Sequence, residues 1–189
     1  RVAIRHKGTY TEGPTELVDF IDICPIQVVG ASASLIPFLA HDEGNRALMG
    51  SNMQCQAVPL ANPESPIVGT GMETEIAQAM GRVIRARHQG IVEYVDGERI
   101  EVKLEKKVDE AATEDIEIID GGRKEVYYLM KFKRTAHSTC YNQRAVVKAG
   151  QKVKAGDLLA DGPACEGGEL ALGRNLVVAY TSFGGYGFE

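Results

Sequence analysis

A period-two alternation of apolar and polar residues, beginning after Gly81, constrains the fold more than any other feature of the sequence. It runs through RVIRAR at residues 82–87, IVEYV at 91–95 and RIEVKL at 99–104. Such alternation is typical of strands with one buried face, and the intervening His88-Gln89-Gly90 and Asp96-Gly97 segments have turn composition. We therefore predict a β meander in this region.

Further strands are predicted on both sides of the meander. Candidate runs are RVAIR at 1–5, ELVDFIDI at 16–23, VYYLMKFKR at 126–134, the glycine-punctuated AGQKVKAGDLLADG at 149–162 and LVVAY at 176–180. Residues 105–125 are instead densely charged and lack a pattern, so they are predicted to form a variable surface excursion.

Helices are predicted in the first half of the chain. The apolar segment at 26–40 reads as one or two short core helices broken at Gly30 and Pro37. A further short helix is predicted in METEIAQAM at 72–80.

The stretch His41–Pro59 is predicted to form a helix with an unusual polar face, capped by Asp42. At about 100° per residue, Asn45, Asn52 and Gln56 share one face and Arg46 lies beside it. These side chains suit phosphate, sugar and base edges better than a core. Two internal glycines weaken the helix by roughly 1 kcal/mol each, so the helix needs support from outside.

Composition narrows the possible functions. The net charge of −5 argues against a free-standing nucleic-acid binder but permits local basic contacts within a larger assembly. The four cysteines form no CxxC pair, which favours reduced thiols in a cytoplasmic protein over zinc or disulfides. No apolar run approaches the ~20 residues of a membrane helix. Because neither end has tail character, we expect both to be cuts through folded structure.

Several segments together resemble the β subunit of the multisubunit bacterial RNA polymerase. The matching segments are VDFIDICPIQVVGASASLIPFLAHDEGNRALMGSNMQCQAVPL, PIVGTGME, STCYNQRAVV, GDLLADGP, GGELALGRN and GYGFE. They cover most of residues 18–104 and 128–189. The resemblance is to an internal piece of that subunit, after the rifampicin-pocket region and before the flap.

The resemblance implies an α+β, mainly β fold that forms part of a double-psi β-barrel. Residues 1–58 would supply a strand and short helices ending in the channel-facing helix. Residues 59–189 would supply the first part of the barrel (59–81 and 136–189) with an accessory β module and variable loop (82–135). Pairing of 57–71 with 170–186 in one sheet would indicate a partly assembled barrel.

The resemblance also implies a role in transcription by a nucleotidyltransferase. Its partners would be the β′ and α subunits, the DNA template, RNA and nucleoside triphosphates. The catalytic Mg²⁺ would be held by the β′ subunit, so the isolated chain would carry no cofactor and have no activity.

Individual site residues follow from the same resemblance. Arg46 would contact the phosphates of the incoming nucleotide, and Asn52 and Gln56 would face the initiating nucleotide and nascent RNA. Asn45 would lie beside the nucleotide path, and Glu43 would support Arg46. Cys55 stands where the family commonly has arginine and receives no role.

Glu189 matches the first carboxylate of a family acidic pair near the second magnesium ion. Its expected contribution is indirect, because the partner aspartate does not follow it in this sequence.

Three other hypotheses remain open. The chain could be a docking module for β′ or transcription factors through residues 105–125. Exposed barrel surfaces could lead to self-association. The rhythm GQKVKAGDLLADG also resembles biotinyl and lipoyl carrier domains, but the following DGPACEGG lacks the lysine that carriers modify.

Overall fold

The structure is a computed structural model that describes residues 1–108 and 116–187. Its internal contacts divide the chain into two units, Arg1–Gly30 and the residues from Ala31 onward. The division predicted from the sequence, a strand and short-helix segment at 1–58 followed by a β-rich region at 59–189, stays a prediction.

The first unit is built on an antiparallel hairpin of β1 (Val2–His6) and β2 (Thr9–Gly13). Short 3-10 turns follow at Thr15–Leu17 and Pro25–Val28. The predicted strand at 1–5 is confirmed, but the strand predicted at 16–23 is wrong. Residues 18–23 have no regular structure and Phe20 is 94% exposed. Alternation yields a strand only where a neighbouring strand supplies hydrogen bonds.

The second unit begins with short helices. They are α1 (Ala31–Ser34), a 3-10 turn (Leu39–His41), α2 (Gly44–Cys55) and α3 (Glu73–Ala79). The predicted breaks near Gly30 and Pro37 are confirmed, as are the helices within 41–59 and 72–80. The expectation that residues 26–40 form core is wrong, since Val28 is 84% and Phe38 75% exposed.

The remaining strands follow the helices along the chain. They are β3 (Ile84–Arg85), β4 (Gly90–Val95), β5 (Arg99–Leu104), β6 (Ile116–Ile119), β7 (Lys124–Tyr128), β8 (Lys133–Arg134), β9 (Cys140–Tyr141), β10 (Arg144–Ala145), β11 (Lys152–Val153), β12 (Leu158–Asp161), β13 (Cys165–Glu166) and β14 (Glu169–Leu170). Among the described residues, these strands form an antiparallel five-stranded sheet, β11-β4-β5-β7-β6, a three-stranded sheet, β10-β12-β3, and the pairs β13-β14 and β8-β9.

The predicted meander is confirmed and supplies the main core. On β5, Ile100 and Val102 are fully buried while Arg99 and Lys103 are exposed, which is the alternation seen in the sequence. Gly90 starts β4 where a side chain would not fit, since a Cβ there would lie 2.4 Å from the Lys103 carbonyl oxygen. Apolar burial against this sheet therefore organises the second unit.

The charged segment at 105–125 is only partly an irregular excursion. Residues 116–119 form β6, which pairs with β7 in the five-stranded sheet. The prediction failed there because IEII is short and lies among charged residues that hide its pattern. Residues 109–115 of the predicted excursion lie outside the described part of the chain.

The fold is mainly β with few helices, as expected, but the described strands do not close into a barrel, and the double-psi topology is not confirmed. Between residues 57–71 and 170–186, whose pairing would indicate a partly assembled barrel, the structure has one isolated bridge, from Glu64 to Gly173. The strand predicted at 176–180 is wrong. Its residues have no regular structure, and Val177 and Tyr180 are fully exposed.

The central role of β5 can be tested by truncating its buried side chain. Replacing Ile100 by alanine is expected to lower the free energy of unfolding by about 2–5 kcal/mol, because it leaves a cavity in the core. Ile91→Thr is the matched control, since Ile91 lies on neighbouring β4, is 39% exposed and stays β-branched after replacement. Chemical denaturation measures both, and equal losses would contradict this account of the core.

Candidate functional site

The candidate site is built on α2, whose first turn is fixed by Glu43. The Glu43 carboxylate accepts a hydrogen bond from the Arg46 backbone N–H at 3.0 Å and another from Asn45 Nδ2 at 2.8 Å. An acidic cap at this position also interacts favourably with the helix dipole. The cap is therefore Glu43 and not Asp42, which lies one residue too early.

Three of the predicted residues, Asn45, Arg46 and Asn52, lie on one exposed helix, and Gln56 caps its C-terminal end. Asn45, Arg46, Asn52 and Gln56 are all exposed, and no residue of α2, which is described over its whole length, is buried. Contacts with α1 support the helix, and Ile36 approaches Gly50 closely enough that a Cβ there would lie 3.8 Å from Ile36 Cδ1. The two internal glycines predict that α2 needs stabilising contacts from outside the helix. Within this chain those contacts are few.

Arg46 is free to bind an anion. One of its guanidinium nitrogens, Nη1, lies 3.9 Å from Met49 Sδ, and no carboxylate of the described residues forms an ion pair with it. Glu43 thus supports Arg46 through its backbone and not through its guanidinium. A planar, permanently charged group in this state suits phosphate oxygens.

The C-terminal end of α2 borders a cavity of about 810 Å³. Gln56, Cys55 and Gln54 line one side, and His137 and Cys140 line another. The side-chain oxygen of Gln54 is buried and receives no hydrogen bond from the described residues. A buried amide oxygen without a donor is destabilising, so this end of the helix is not fully satisfied by the described residues.

No metal centre accompanies α2 in the described residues, where no group of three or more His, Cys, Asp and Glu side chains comes together to hold an ion. Glu189, the predicted indirect contributor to a magnesium site, lies outside the described residues.

A bridge between two distant segments was not anticipated from the sequence. Glu64 forms an ion pair with Arg174 and accepts a hydrogen bond from the Asn175 backbone N–H at 3.1 Å. The hydrogen bond from Asn175 and the Arg174 guanidinium hold the pKa of Glu64 below its usual value of 4.5. About 110 residues separate the partners, so no local pattern could have indicated the contact.

A family model for RNA polymerase Rpb2, domain 6, matches residues 85–189. The chain therefore belongs to this RNA polymerase family, as the resemblance of its motifs predicted.

The individual proteins that the chain resembles are β subunits of bacterial RNA polymerases. The chain is 47% identical over its full length to the DNA-directed RNA polymerase subunit beta of Jannaschia sp. (strain CCS1), covering 13% of that protein. It is 48% identical over 98% of its length to that of Streptococcus thermophilus (strain CNRZ 1066), covering 14%, and 50% identical over 96% to that of Rickettsia prowazekii (strain Madrid E), covering 13%. The chain thus spans about one seventh of these relatives.

Within the part of the chain that the structure describes, no helix is both long and apolar enough to cross a membrane.

The Glu64 bridge predicts a specific dependence of stability on pH. Because folding lowers the pKa of Glu64 below 4.5, the bridge stabilises the protein above that value, and its contribution is lost as the pH falls through the folded-state pKa. Glu64→Gln should therefore lower the melting temperature at neutral pH, and the difference from the parent chain should shrink as the pH falls below 4.5.

Thermal unfolding followed by circular dichroism measures this effect. Glu75→Gln is the control, because Glu75 is an exposed carboxylate outside the bridge. A difference between the parent chain and Glu64→Gln that stays constant with pH would contradict the assignment.

Proposed function

We propose that this chain acts in the cytoplasm as part of the β subunit of a DNA-directed RNA polymerase. In that role α2 helps to position the incoming nucleotide, the nascent RNA and the RNA–DNA hybrid. The single observation that carries the proposal is Arg46, an exposed guanidinium with no carboxylate partner among the described residues. It lies on the helix that also carries exposed Asn52 and is capped at its C-terminal end by exposed Gln56.

The roles of the polar side chains follow from their chemistry. Arg46 would bind triphosphate oxygens through paired charge-assisted hydrogen bonds. Asn52 and Gln56 are neutral, so they would hydrogen-bond the RNA backbone without holding a moving product tightly. Asn45, whose Nδ2 already donates to Glu43, keeps its side-chain oxygen for a donor on the ligand.

Catalysis of nucleotidyl transfer would lie outside this chain. Two metal ions activate the attacking hydroxyl and stabilise the leaving pyrophosphate in such reactions. We propose that the β′ subunit holds Mg²⁺ in the intact enzyme and that Glu189 contributes to that region indirectly. The chain alone is then inactive, and its residues bind and orient the substrate.

The proposal predicts how an Arg46→Ala variant behaves in an assembled polymerase whose β subunit carries this segment. The kcat/KM for single-nucleotide addition should fall by about 10- to 100-fold, as expected for the loss of hydrogen bonds from a charged donor. Arg46→Lys should recover only part of the loss, because lysine keeps the charge but not the planar fork.

Lys154→Ala serves as the matched control, since Lys154 is an exposed cation far along the chain from α2. Unchanged nucleotide addition in Arg46→Ala would overturn the proposed role of the helix. Templated synthesis by the isolated chain would overturn the proposed dependence on other subunits.

We also propose that the chain docks against other parts of a polymerase, including the β′ and α subunits. Exposed apolar side chains between residues 176 and 186 support this second role, among them Leu176, Val177, Tyr180 and Phe183. Each of these four is at least 79% exposed, and monomeric proteins seldom expose contiguous apolar patches without a partner. The carrier-domain hypothesis has no such support. Carrier domains are modified at a lysine on a hairpin, and the β13-β14 hairpin that follows GQKVKAGDLLADG has no lysine.

Without those partners, the isolated chain is expected to self-associate at high concentration. Replacing Val177 and Tyr180 together by lysine should reduce the association, because it places charge on the apolar segment. Light scattering over a concentration series measures the effect, with Lys152 and Lys154 exchanged for arginine as a control. A strict monomer at all concentrations would contradict this prediction.

A further inference from the structure

The β1-β2 hairpin carries a basic surface in the part of the chain that precedes α2. Its two-residue turn is Lys7-Gly8, with φ values of 47° and 87°. Left-handed conformation at both positions defines a turn that favours Asn, Asp or Gly at the first position. Lysine is uncommon at this position, and here it places a cation at the tip of the hairpin. A backbone conformation that the residue type disfavours is often associated with function, so the residues around Lys7 are of interest.

Strand register divides the hairpin into two faces of different character. One face contains Ile4, which is partly buried and lies close to Gly13, where a Cβ would approach Ile4 Cδ1 to 2.8 Å and Leu17 Cδ1 to 4.0 Å. The opposite face holds Arg5 directly across from Tyr10, and Ala3 across from Glu12. We call this second face, with Lys7 at its tip, the basic hairpin face.

The basic hairpin face is charged opposite to the chain as a whole. Residues 1–13 contain three cations, Arg1, Arg5 and Lys7, and one carboxylate, Glu12, giving +2 with His6 neutral, whereas the whole chain carries −5. Across residues 1–108 and 116–187, neither Arg5 nor Lys7 forms an ion pair. Both cations are exposed and available to an anionic ligand.

Tyr10 adds an aromatic surface beside these cations. It is 82% exposed and pairs across the strands with Arg5, so its ring and the guanidinium lie on the same face. Single-stranded nucleic acids are bound by this combination, in which cations follow the phosphates and an aromatic ring stacks on a base. An acidic peptide would satisfy the cations but would offer Tyr10 no base to stack on.

We propose that the basic hairpin face binds single-stranded nucleic acid, with Arg5 and Lys7 on successive phosphates and Tyr10 stacked on a base. This surface is additional to the nucleotide and RNA contacts proposed for α2, and the inference does not depend on them. Recognition is independent of sequence, because every base has a stacking surface and phosphates carry no sequence information.

The test is fluorescence anisotropy of the full 189-residue chain with a labelled thymidine oligonucleotide of about 20 nucleotides, over a series of salt concentrations. Replacing Arg5 and Lys7 together by glutamine should weaken binding at low salt about tenfold or more. It should also reduce the slope of log affinity against log salt by about 1.4, or about 0.7 for each phosphate contact. Tyr10→Ala should weaken binding about five- to 150-fold, and Tyr10→Phe should retain it.

Two controls separate this surface from general charge effects. Lys152→Gln with Lys154→Gln removes the same charge from exposed positions elsewhere and should leave the affinity close to that of the parent. Polyglutamate should compete poorly, since it lacks bases. Circular dichroism of each variant checks that the hairpin variants keep the parent's fold.

The proposal is overturned if the parent chain does not bind the oligonucleotide. It is equally overturned if the two double variants lose equal affinity, if Tyr10→Ala binds as the parent does, or if polyglutamate competes as well as the oligonucleotide at equal charge. The last outcome would assign the face to acidic protein segments.

Discussion

The second unit depends on how one buried carboxylate is satisfied. Glu125 on β7 is fully buried, with His88 Nδ1 at 2.7 Å from one oxygen and the Tyr127 hydroxyl donating to the other at 2.6 Å. The same hydroxyl accepts a hydrogen bond from the Arg87 backbone N–H at 2.9 Å. A buried carboxylate without partners would be strongly destabilising, so these contacts fix the connection between β3 and β4 against β7. Burial also raises the pKa of Tyr127, which keeps the hydroxyl protonated as a donor.

The proposed functions lie where this packing is absent. The five-stranded sheet holds Ile100, Val102 and Tyr127 fully buried, whereas α2 buries none of its described residues and the segment from 176 to 186 exposes its apolar side chains. A well-packed sheet thus carries segments whose polar or apolar groups are exposed to solvent. Membership of the RNA polymerase family is consistent with such a division, since the relatives are about seven times longer than this chain.

The predictions from the sequence are correct where a local residue pattern determines the structure. The alternation of β4 and β5 matches their burial, and the polar face of α2 is exposed as expected. The predictions fail where the outcome depends on a partner segment. LVVAY at 176–180 has the composition of a strand, yet no described strand pairs with it, and ELVDFIDI at 16–23 fails for the same reason. The predicted N-cap of α2, Asp42, is wrong, and the observed N-cap is Glu43. Which residue caps a helix depends on the backbone angles at the first turn, and composition does not specify those angles.

At the candidate site too, the sequence indicates which residues lie together on one helix but not which contacts their side chains make. The motifs singled out residues that the structure places on α2 or at its C-terminal cap, and the roles of these residues stay predictions. The state of each side chain depended on geometry. The Glu43 carboxylate is bound to Asn45 and to the Arg46 backbone N–H, and the Arg46 guanidinium forms no ion pair with any described residue. The Glu64 bridge and the basic hairpin face join residues that only folding brings together, across the molecule in one case and across a turn in the other.

The bridge between Glu64 and Arg174 also bears on the order in which the chain folds. It closes a loop of about 110 residues, and the entropy of closing such a loop is lost before the contact forms. Contacts between residues so distant in sequence slow folding, whereas the turns of the meander bring β4 and β5 together over a few residues. During synthesis Arg174 emerges after the whole five-stranded sheet. We therefore expect the five-stranded sheet to form first. The bridge would then join the segments around Glu64 and Arg174 late in the folding of the second unit.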